Sequence, residues 1–169
     1  MTDTEQEQIF KDWLSRCRAL MFKIVRAYAH SDHDVDDLFQ EIAIQVWRSI
    51  PGFRHESAIT TWIYRIALNT AIKWKRKEQK HTAHEDVERL QHLLTATADA
   101  EDERLTWLYG EIRKLDGVDR SIALLLLEGL SYQEMADILG ITKTNVGVKI
   151  NRIKKQLISK SKTLLENGI

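Results

Sequence analysis

The chain has 169 residues, and its 25 basic and 25 acidic side chains give a formal net charge of zero, so bulk charge favours no partner. Its single cysteine, Cys17, excludes an internal disulfide and is expected to be a buried thiol in a reducing compartment. The N-terminus lacks signal-peptide features and no apolar run approaches the length of a membrane span, so we expect a cytoplasmic protein without membrane insertion. With one proline and seven glycines, helical periodicity predicts an all-α fold.

Three helices are predicted in the N-terminal part of the chain. The first covers about residues 5–29, and the aspartate-rich segment Ser31–Asp37 begins the second, where acidic groups suit a helix N-terminus. Pro51–Gly52 ends the second helix, and the third runs from about residue 58 to 77. Its expected core positions are Ile59, Trp62, Ile63, Ile66 and Thr70. It ends in a block of basic residues: Lys73, Lys75, Arg76, Lys77 and Lys80.

The second helix is predicted to have two contrasting faces. Apolar residues at helical spacing are expected to point into the core: Val35, Leu38, Phe39, Ile42, Val46 and Ile50. The other face carries Asp36, Asp37, Gln40 and Glu41, which predicts an exposed acidic surface.

The helical pattern weakens from about Glu78 to Ala100, which indicates a linker, although Val87, Leu90, Leu93 and Leu94 could form a short helix. The predicted boundaries are residues 1–80 for an N-terminal domain, 81–103 for the linker and 104–169 for a C-terminal domain. In the last of these, Asp116–Gly117 is a predicted turn, and Ile122–Leu127 predicts an apolar helix that Gly129 ends.

The stretch from Leu130 to Leu157 predicts a helix-turn-helix. Ser131 and Glu134 have the spacing of a capping box, Gly140 suits a left-handed helix end, and Thr142 can cap the second helix. The second helix has an apolar stripe formed by Val146, Ile150, Ile153 and Leu157. Between residues 142 and 162 there are seven basic residues and no acidic one: Lys143, Lys149, Arg152, Lys154, Lys155, Lys160 and Lys162.

This second helix has the chemistry of a DNA-binding helix. Basic side chains suit phosphates, whereas short polar side chains at a helix start suit base edges in the major groove. Gly147 is a defect within the helix, since glycine there costs about 1 kcal/mol relative to alanine. The sequence leaves open whether its backbone closely approaches DNA or another helix.

With both halves considered, the order of motifs resembles a bacterial sigma factor of the extracytoplasmic-function type. Residues 34–77 are similar to the family's promoter-melting domain, and residues 115–157 to its C-terminal promoter-binding domain. The resemblance implies a protein that is not an enzyme and needs no cofactor or metal. It implies that the chain binds core RNA polymerase, directs it to promoter DNA and helps to open it, commonly under control of an anti-sigma factor.

The resemblance also implies roles for residues. Asp37, Gln40 and Glu41 match the family's D-x-x-Q-E pattern, and with Asp36 they form the expected core-polymerase-binding set. The loop 53–57 matches the loop that captures a flipped minus-10 base. The expected minus-10 contacts are Phe53, Arg54, His55, Tyr64, Arg65, Asn69, Lys73, Arg76 and Lys77. The expected minus-35 contacts are Lys143, Thr144, Asn145, Val148, Lys149, Arg152 and Lys155. Trp62 is expected in the core rather than stacked on DNA.

Two alternatives compete with this interpretation. The C-terminal half alone resembles the helix-turn-helix output domain of response regulators, which bind duplex DNA without docking on polymerase. A metal-dependent helical enzyme is the second alternative, because His81-x-x-His84 has helical ligand spacing. Potential ligands are also dense near the start of the second helix: His30, Asp32, His33, Asp34, Asp36, Asp37 and Glu41. A second Glu-x-x-His set, which a di-metal bundle requires, is missing from the sequence.

Overall fold

The computed structural model describes residues 1–81 and 103–166, and every regular element within those ranges is helical. The helices are α1 (Asp3–Tyr28), α2 (Asp32–Ser49), α3 (Ile59–His81), α4 (Glu103–Arg113), α5 (Gly117–Leu127), α6 (Tyr132–Leu139) and α7 (Lys143–Glu166), with a 3₁₀ turn at Ile50–Gly52. The predicted all-α class is confirmed. Residues 82–102 of the predicted linker, with the short helix expected around Val87–Leu94, lie outside the described residues.

The chain divides into two compact units, Met1–Thr106 and Trp107–Ile169. In the first unit, α1, α2 and α3 pack against one another pairwise. Their shared core contains side chains that are at most 2% exposed, among them Met21, Ile24, Leu38, Ile42 and Ile63. Cys17 is 1% exposed, as predicted, and burial raises the pKa of its thiol. Apolar burial against two neighbours therefore fixes which faces of α2 and α3 remain accessible.

The predicted core stripe of α3 is displaced from the observed one. Of the five expected positions only Ile63 is fully buried, whereas Trp62, Ile66 and the others are half-buried. The buried set is Ile63, Tyr64, Ala67, Leu68 and Ala71. Because α3 packs against both α1 and α2, its apolar arc is rotated by about one residue from a single-sided stripe.

In the second unit, α5 and α6 both pack on α7, around a core that includes Ile112, Ile122, Leu125, Met135 and Ile150. The predicted turn at Asp116–Gly117 was wrong, because α5 begins there. Asp116 is its N-cap, and its carboxylate accepts a hydrogen bond from the backbone N–H of Asp119 at 2.8 Å. Gly129 adopts φ +77° just after α5, in agreement with its predicted role as a terminator.

A buried arginine joins α4 to α5. Arg120 on α5 is 0% exposed, and its guanidinium donates hydrogen bonds to the backbone carbonyls of Arg113 and Leu115. The Arg113 carbonyl is at the C-terminal end of α4, where helix carbonyls lack intrahelical partners, and the Leu115 carbonyl lies in the connection to α5. The charge is thus used to hold two helices together and not to bind a ligand.

Candidate nucleic-acid and protein interfaces

The acidic face of α2 is accessible in the first unit. Asp36, Asp37 and Gln40 are exposed, while Glu41 is half-buried and accepts a hydrogen bond from Gln45 Nε2 at 2.8 Å. The helix buries its opposite side, because apolar residues recur at helical spacing there. The structure therefore brings the four predicted polymerase-binding residues onto one surface.

A histidine stands beside this acidic face. His33 Nδ1 lies 3.3 Å from Asp37 Oδ2, one helical turn away. A hydrogen bond at its own backbone and the Asp37 carboxylate raise the pKa of His33 above its ordinary value. Both side chains are largely exposed, so solvent screens the pair and it contributes little to stability.

The loop after the 3₁₀ turn is anchored by an aromatic cluster. The Phe53 ring lies 5.1 Å from that of Trp13, 4.6 Å from that of His55 and 5.5 Å from that of Trp62, measured between centroids. Trp62 is half-buried, and its Nε1 donates a hydrogen bond to Ser49 Oγ at 3.1 Å. Phe53 is thus mainly an anchor, whereas Arg54 and His55 are exposed at the loop tip. His55 has φ 58°, a left-handed conformation that turns the chain sharply.

A groove of about 630 Å³ runs between α2 and α3. Its wall on α3 includes four of the predicted minus-10 residues, which recur every fourth position: Arg65, Asn69, Lys73 and Lys77. Its wall on α2 includes Glu41, Gln45 and Arg48. Arg76 is exposed on the same helix but does not line the groove. The spacing of four places the lining residues on one helix face, which is suited to following a nucleic-acid backbone.

Tyr64 does not belong to this surface. It is 8% exposed and lies within the buried arc of α3, between Ile63 and Ala67. Its predicted role as a minus-10 contact therefore conflicts with its burial, and it is a core residue. The sequence suggested contact because α3 was assigned a core stripe that is rotated from the observed one.

The helix-turn-helix is formed as predicted in the second unit. Ser131 Oγ accepts a hydrogen bond from the Glu134 backbone N–H at 3.2 Å, and Glu134 Oε2 accepts one from the Ser131 backbone N–H at 2.7 Å. The latter bond, the larger cause, lowers the pKa of Glu134. Gly140 adopts φ 68°, and Thr142 Oγ1 accepts from the Asn145 backbone N–H at 3.1 Å. Local capping chemistry therefore sets the start of α7.

Three residues of the predicted apolar stripe of α7 are buried, Leu157 is half-buried, and the other side of the helix is accessible. Val146, Ile150 and Ile153 are at most 2% exposed. Six of the seven predicted minus-35 residues are exposed: Lys143, Thr144, Asn145, Val148, Arg152 and Lys155. Val148 is 62% exposed, so its apolar side chain is accessible on the same side of the helix.

Gly147 faces another helix in this structure. A Cβ atom built on it would lie 3.5 Å from Cε2 of Tyr132, which is on α6. That distance is ordinary van der Waals contact. The glycine therefore lies beneath an aromatic ring of the first helix of the motif, but packing against that ring does not require glycine.

Asp119, which the sequence analysis did not single out, links α5 to the predicted DNA-binding helix. Its carboxylate accepts hydrogen bonds from Lys149 Nζ at 2.9 Å and from Arg152 Nη2. The Asp119 side chain is 8% exposed, against 20% for Lys149 and 58% for Arg152. Burial raises the pKa of Asp119, but the two cations outweigh it and hold that pKa below its ordinary value. An acidic residue next to an arginine in the first turn of a largely apolar helix was the available signal.

The described residues offer no support for a metal site. Within residues 1–81 and 103–166, no three or more His, Cys, Asp or Glu side chains are grouped so that they could hold a metal ion. His84 of the candidate His-x-x-His pair lies outside those ranges. None of the helices in the described part of the chain combines the length and the apolarity that crossing a membrane requires.

Two family models match the chain. Sigma-70 region 2 matches residues 13–81, and Sigma-70 region 4 matches residues 106–157. The first match spans α1 to α3, and the second spans the helix-turn-helix. The two halves that the sequence pattern separated thus correspond to two different regions of one family.

Individual sigma factors are similar over most of the chain. The ECF RNA polymerase sigma-E factor of Haemophilus influenzae is 30% identical over 148 residues, covering 80% of this chain and 78% of that protein. RNA polymerase sigma factor YlaC of Bacillus subtilis is 30% identical over 135 residues, covering 76% of this chain and 78% of that protein.

Solved structures share the fold. CnrH in complex with the cytosolic domain of CnrY has a TM-score of 0.66 at 21% identity and covers 96% of this chain and 91% of that chain. The sigma factor RpoE in complex with the anti-sigma factor NepR from Bartonella quintana has a TM-score of 0.68 at 17% identity, covering 92% of this chain and 98% of that one. On the family matches and the 30% identical relatives, this chain belongs to the ECF family of RNA polymerase sigma factors.

Proposed function

We propose that three surfaces of this chain perform the work of a sigma factor, which binds core RNA polymerase and directs it to promoters without being an enzyme. The observation that carries the assignment is the separation of charge. The first unit exposes an acidic face on α2, whereas the helix-turn-helix of the second unit exposes a helix with seven basic residues between positions 142 and 162 and no acidic one. Surfaces of opposite sign suit different partners.

The acidic face of α2 is proposed as the surface that docks on core polymerase. Asp36, Asp37 and Gln40 are exposed on a helix whose other side is fixed in the core, so the face is rigidly presented. Such a surface complements a basic patch, and exposed charges of this kind act strongly on association rate and partner choice. A regulator that binds DNA without polymerase would not need this surface.

Charge reversal tests this docking surface. The double variant Asp37→Lys with Glu41→Lys should weaken binding of the labelled chain to core polymerase by at least about tenfold, equivalent to roughly 1.4 kcal/mol, because like charges would face each other. The matched control is Glu7→Lys with Asp12→Lys, which makes the same charge change on the exposed side of α1. If both double variants bind core polymerase as the wild type does, α2 is not the docking surface.

The groove between α2 and α3 is proposed to hold minus-10 DNA. Arg65, Lys73 and Lys77 would meet phosphates, with Arg76 alongside, and Asn69 would meet a base or the backbone. Arg54 and His55 are exposed at the tip of a loop that Phe53 anchors. Extracting a base costs a few kcal/mol, which stacking and hydrogen bonding in such a loop can offset.

The exposed side of α7 is proposed to enter the minus-35 major groove. Thr144 and Asn145 stand at the start of the helix, where side chains of a recognition helix reach base edges. Val148 is apolar and exposed, which suits contact with a thymine methyl group. Lys143 and Lys155 would contact phosphates, and Arg152 would contact a base edge or a phosphate. Lys149 was predicted to contact the DNA as well, but its ammonium is already bound to Asp119.

An anti-sigma factor is proposed as a regulatory partner, and the cytoplasm as the place of action. The RpoE structure that shares this fold is a complex with an anti-sigma factor, which supports the same class of partner here. The location follows from the function, since a sigma factor works where core polymerase and the chromosome are. Cell fractionation that recovers the chain with core polymerase would support this location, and recovery with membranes free of polymerase would contradict it.

A further inference from the structure

We propose that Asp119 is a positioning residue for the minus-35 contact, holding Lys149 as an internal counter-ion and fixing the orientation of Arg152. This inference rests on the proposed minus-35 surface and deepens it. It lowers the expected number of DNA contacts, because Lys149 would bind Asp119 instead of DNA. Arg152 would still contact DNA, in an orientation that Asp119 fixes.

The position of the carboxylate supports this role. Asp119 lies in the first turn of α5, 30 residues before Lys149 and 33 before Arg152, so the contact ties α7 to a different helix. Asp119 as a whole is 5% exposed. Because burying a charged carboxylate is costly, it requires nearby positive charge. Asp119 therefore contacts α7 from the interior of the second unit, and not from the surface proposed to face DNA.

The two cations differ in how much of each remains accessible to a ligand once it is bound to Asp119. The Lys149 side chain is 20% exposed, and its single ammonium is bound at 2.9 Å, so little of its charge is presented to a ligand. The Arg152 side chain is 58% exposed, and only one of its terminal nitrogens bonds to Asp119. A guanidinium has five N–H donors in a rigid fork, so its remaining donors can still bind a base edge or a phosphate.

A guanidinium held in one orientation favours discrimination between DNA sequences over affinity for DNA of any sequence. Arginine loses less freedom on forming a specific contact when its plane is already held, and bidentate contacts to a base depend on that plane. A mobile arginine and an unbound lysine would instead attract any phosphate. Removing the Asp119 charge should therefore increase sequence-independent binding and reduce selectivity.

The test uses holoenzymes made with the full chain and a promoter selected from a genomic fragment library by the wild-type holoenzyme. Each holoenzyme is titrated against this promoter and against the same DNA with a scrambled minus-35 element, over a range of salt concentrations. Asp119→Asn keeps the size of the side chain and removes its charge. The control is Glu166→Gln, the same charge change on α7 but fourteen residues beyond Arg152, about 21 Å along the helix.

We expect Asp119→Asn to bind the scrambled DNA at least about threefold more tightly and to lower the ratio of the two affinities at least about fivefold. The slope of log affinity against log salt should steepen by about 1 to 2, as one or two more cations meet phosphates. A merely structural role would weaken binding to both DNAs together. Equal weakening, or an unchanged ratio, would overturn the proposal.

Two further variants separate the possible failures. Lys149→Gln leaves Asp119 bonded to Arg152, so it should not change the salt slope, whereas Lys155→Gln should make it shallower by about 1. Equal effects of these two variants would overturn the internal role of Lys149, even if Asp119→Asn does not fold. If Lys155→Gln has no effect on either DNA, the minus-35 surface itself is wrong; if Lys155→Gln acts as expected and Asp119→Asn leaves the ratio unchanged, only the positioning role fails.

Discussion

Replacing Gly147 by alanine should stabilise the second unit without weakening promoter binding. Glycine inside a helix costs about 0.8–1.0 kcal/mol relative to alanine. The added methyl would meet Tyr132 Cε2 at 3.5 Å and Cδ2 at 3.8 Å, so it should fit without displacing the ring. Burying part of that methyl contributes up to about 0.8 kcal/mol more. The expected gain is therefore about 1 to 1.5 kcal/mol.

Hydrogen exchange of the α7 amides is the appropriate assay, because it reports on one unit of a two-unit chain. A gain of 1 to 1.5 kcal/mol should slow exchange of the most protected amides by about 5- to 12-fold. Promoter affinity of the holoenzyme should stay within about twofold, since the new methyl points towards α6. Faster exchange would show that Tyr132 needs a bare backbone beneath it, and weaker promoter binding would show that this side of α7 faces DNA.

Three other outcomes follow from the described contacts. Ser131→Ala removes half of a capping box and should lower the free energy of unfolding of the second unit by about 1 kcal/mol, measured by the same exchange; no loss would mean that the cap is not formed in solution. Glu111 is 6% exposed; burial raises its pKa, but hydrogen bonds from Lys114 and Lys160 lower it below its ordinary value overall. A depressed carboxylate pKa gives stability that is present above the carboxyl group's ordinary pKa and is lost as pH falls through the lowered one. Thermal unfolding from pH 6 to 3 should therefore show a steeper decline for the wild type than for Glu111→Gln, and parallel declines would contradict the pairing. Lys73→Ala should reduce opening of the selected promoter several-fold, measured by thymine reactivity in the melted region, with Lys11→Ala on α1 as the control; equal opening by both would argue against the groove.

Local chemistry explains what the sequence predicted well. The caps at Ser131 and Thr142 and the helix end at Gly140 depend on residues three or four positions apart, so pattern alone locates them. The acidic face of α2 was predicted in the same way, from side chains that recur at helical spacing within one helix. These features located the acidic face of α2 and the second helix of the helix-turn-helix before any tertiary contact was known.

Long-range packing explains what the sequence did not predict. The burial of Tyr64 depends on α1 and α2 both packing against α3, which periodicity within α3 does not reveal. Asp119 finds its partners 30 and 33 residues later, on another helix. The early start of α5 was missed because Asp–Gly usually signals a turn, yet an aspartate can equally cap a helix that starts with glycine.

Transcription in vitro tests the central claim most directly. Core polymerase is incubated with a genomic fragment library, with and without the purified chain, and the start sites of the transcripts are mapped. The account predicts a set of start sites that require the chain and share two upstream elements at a fixed spacing, one for the α2–α3 groove and one for α7. An unchanged set of start sites when the chain is added would contradict it.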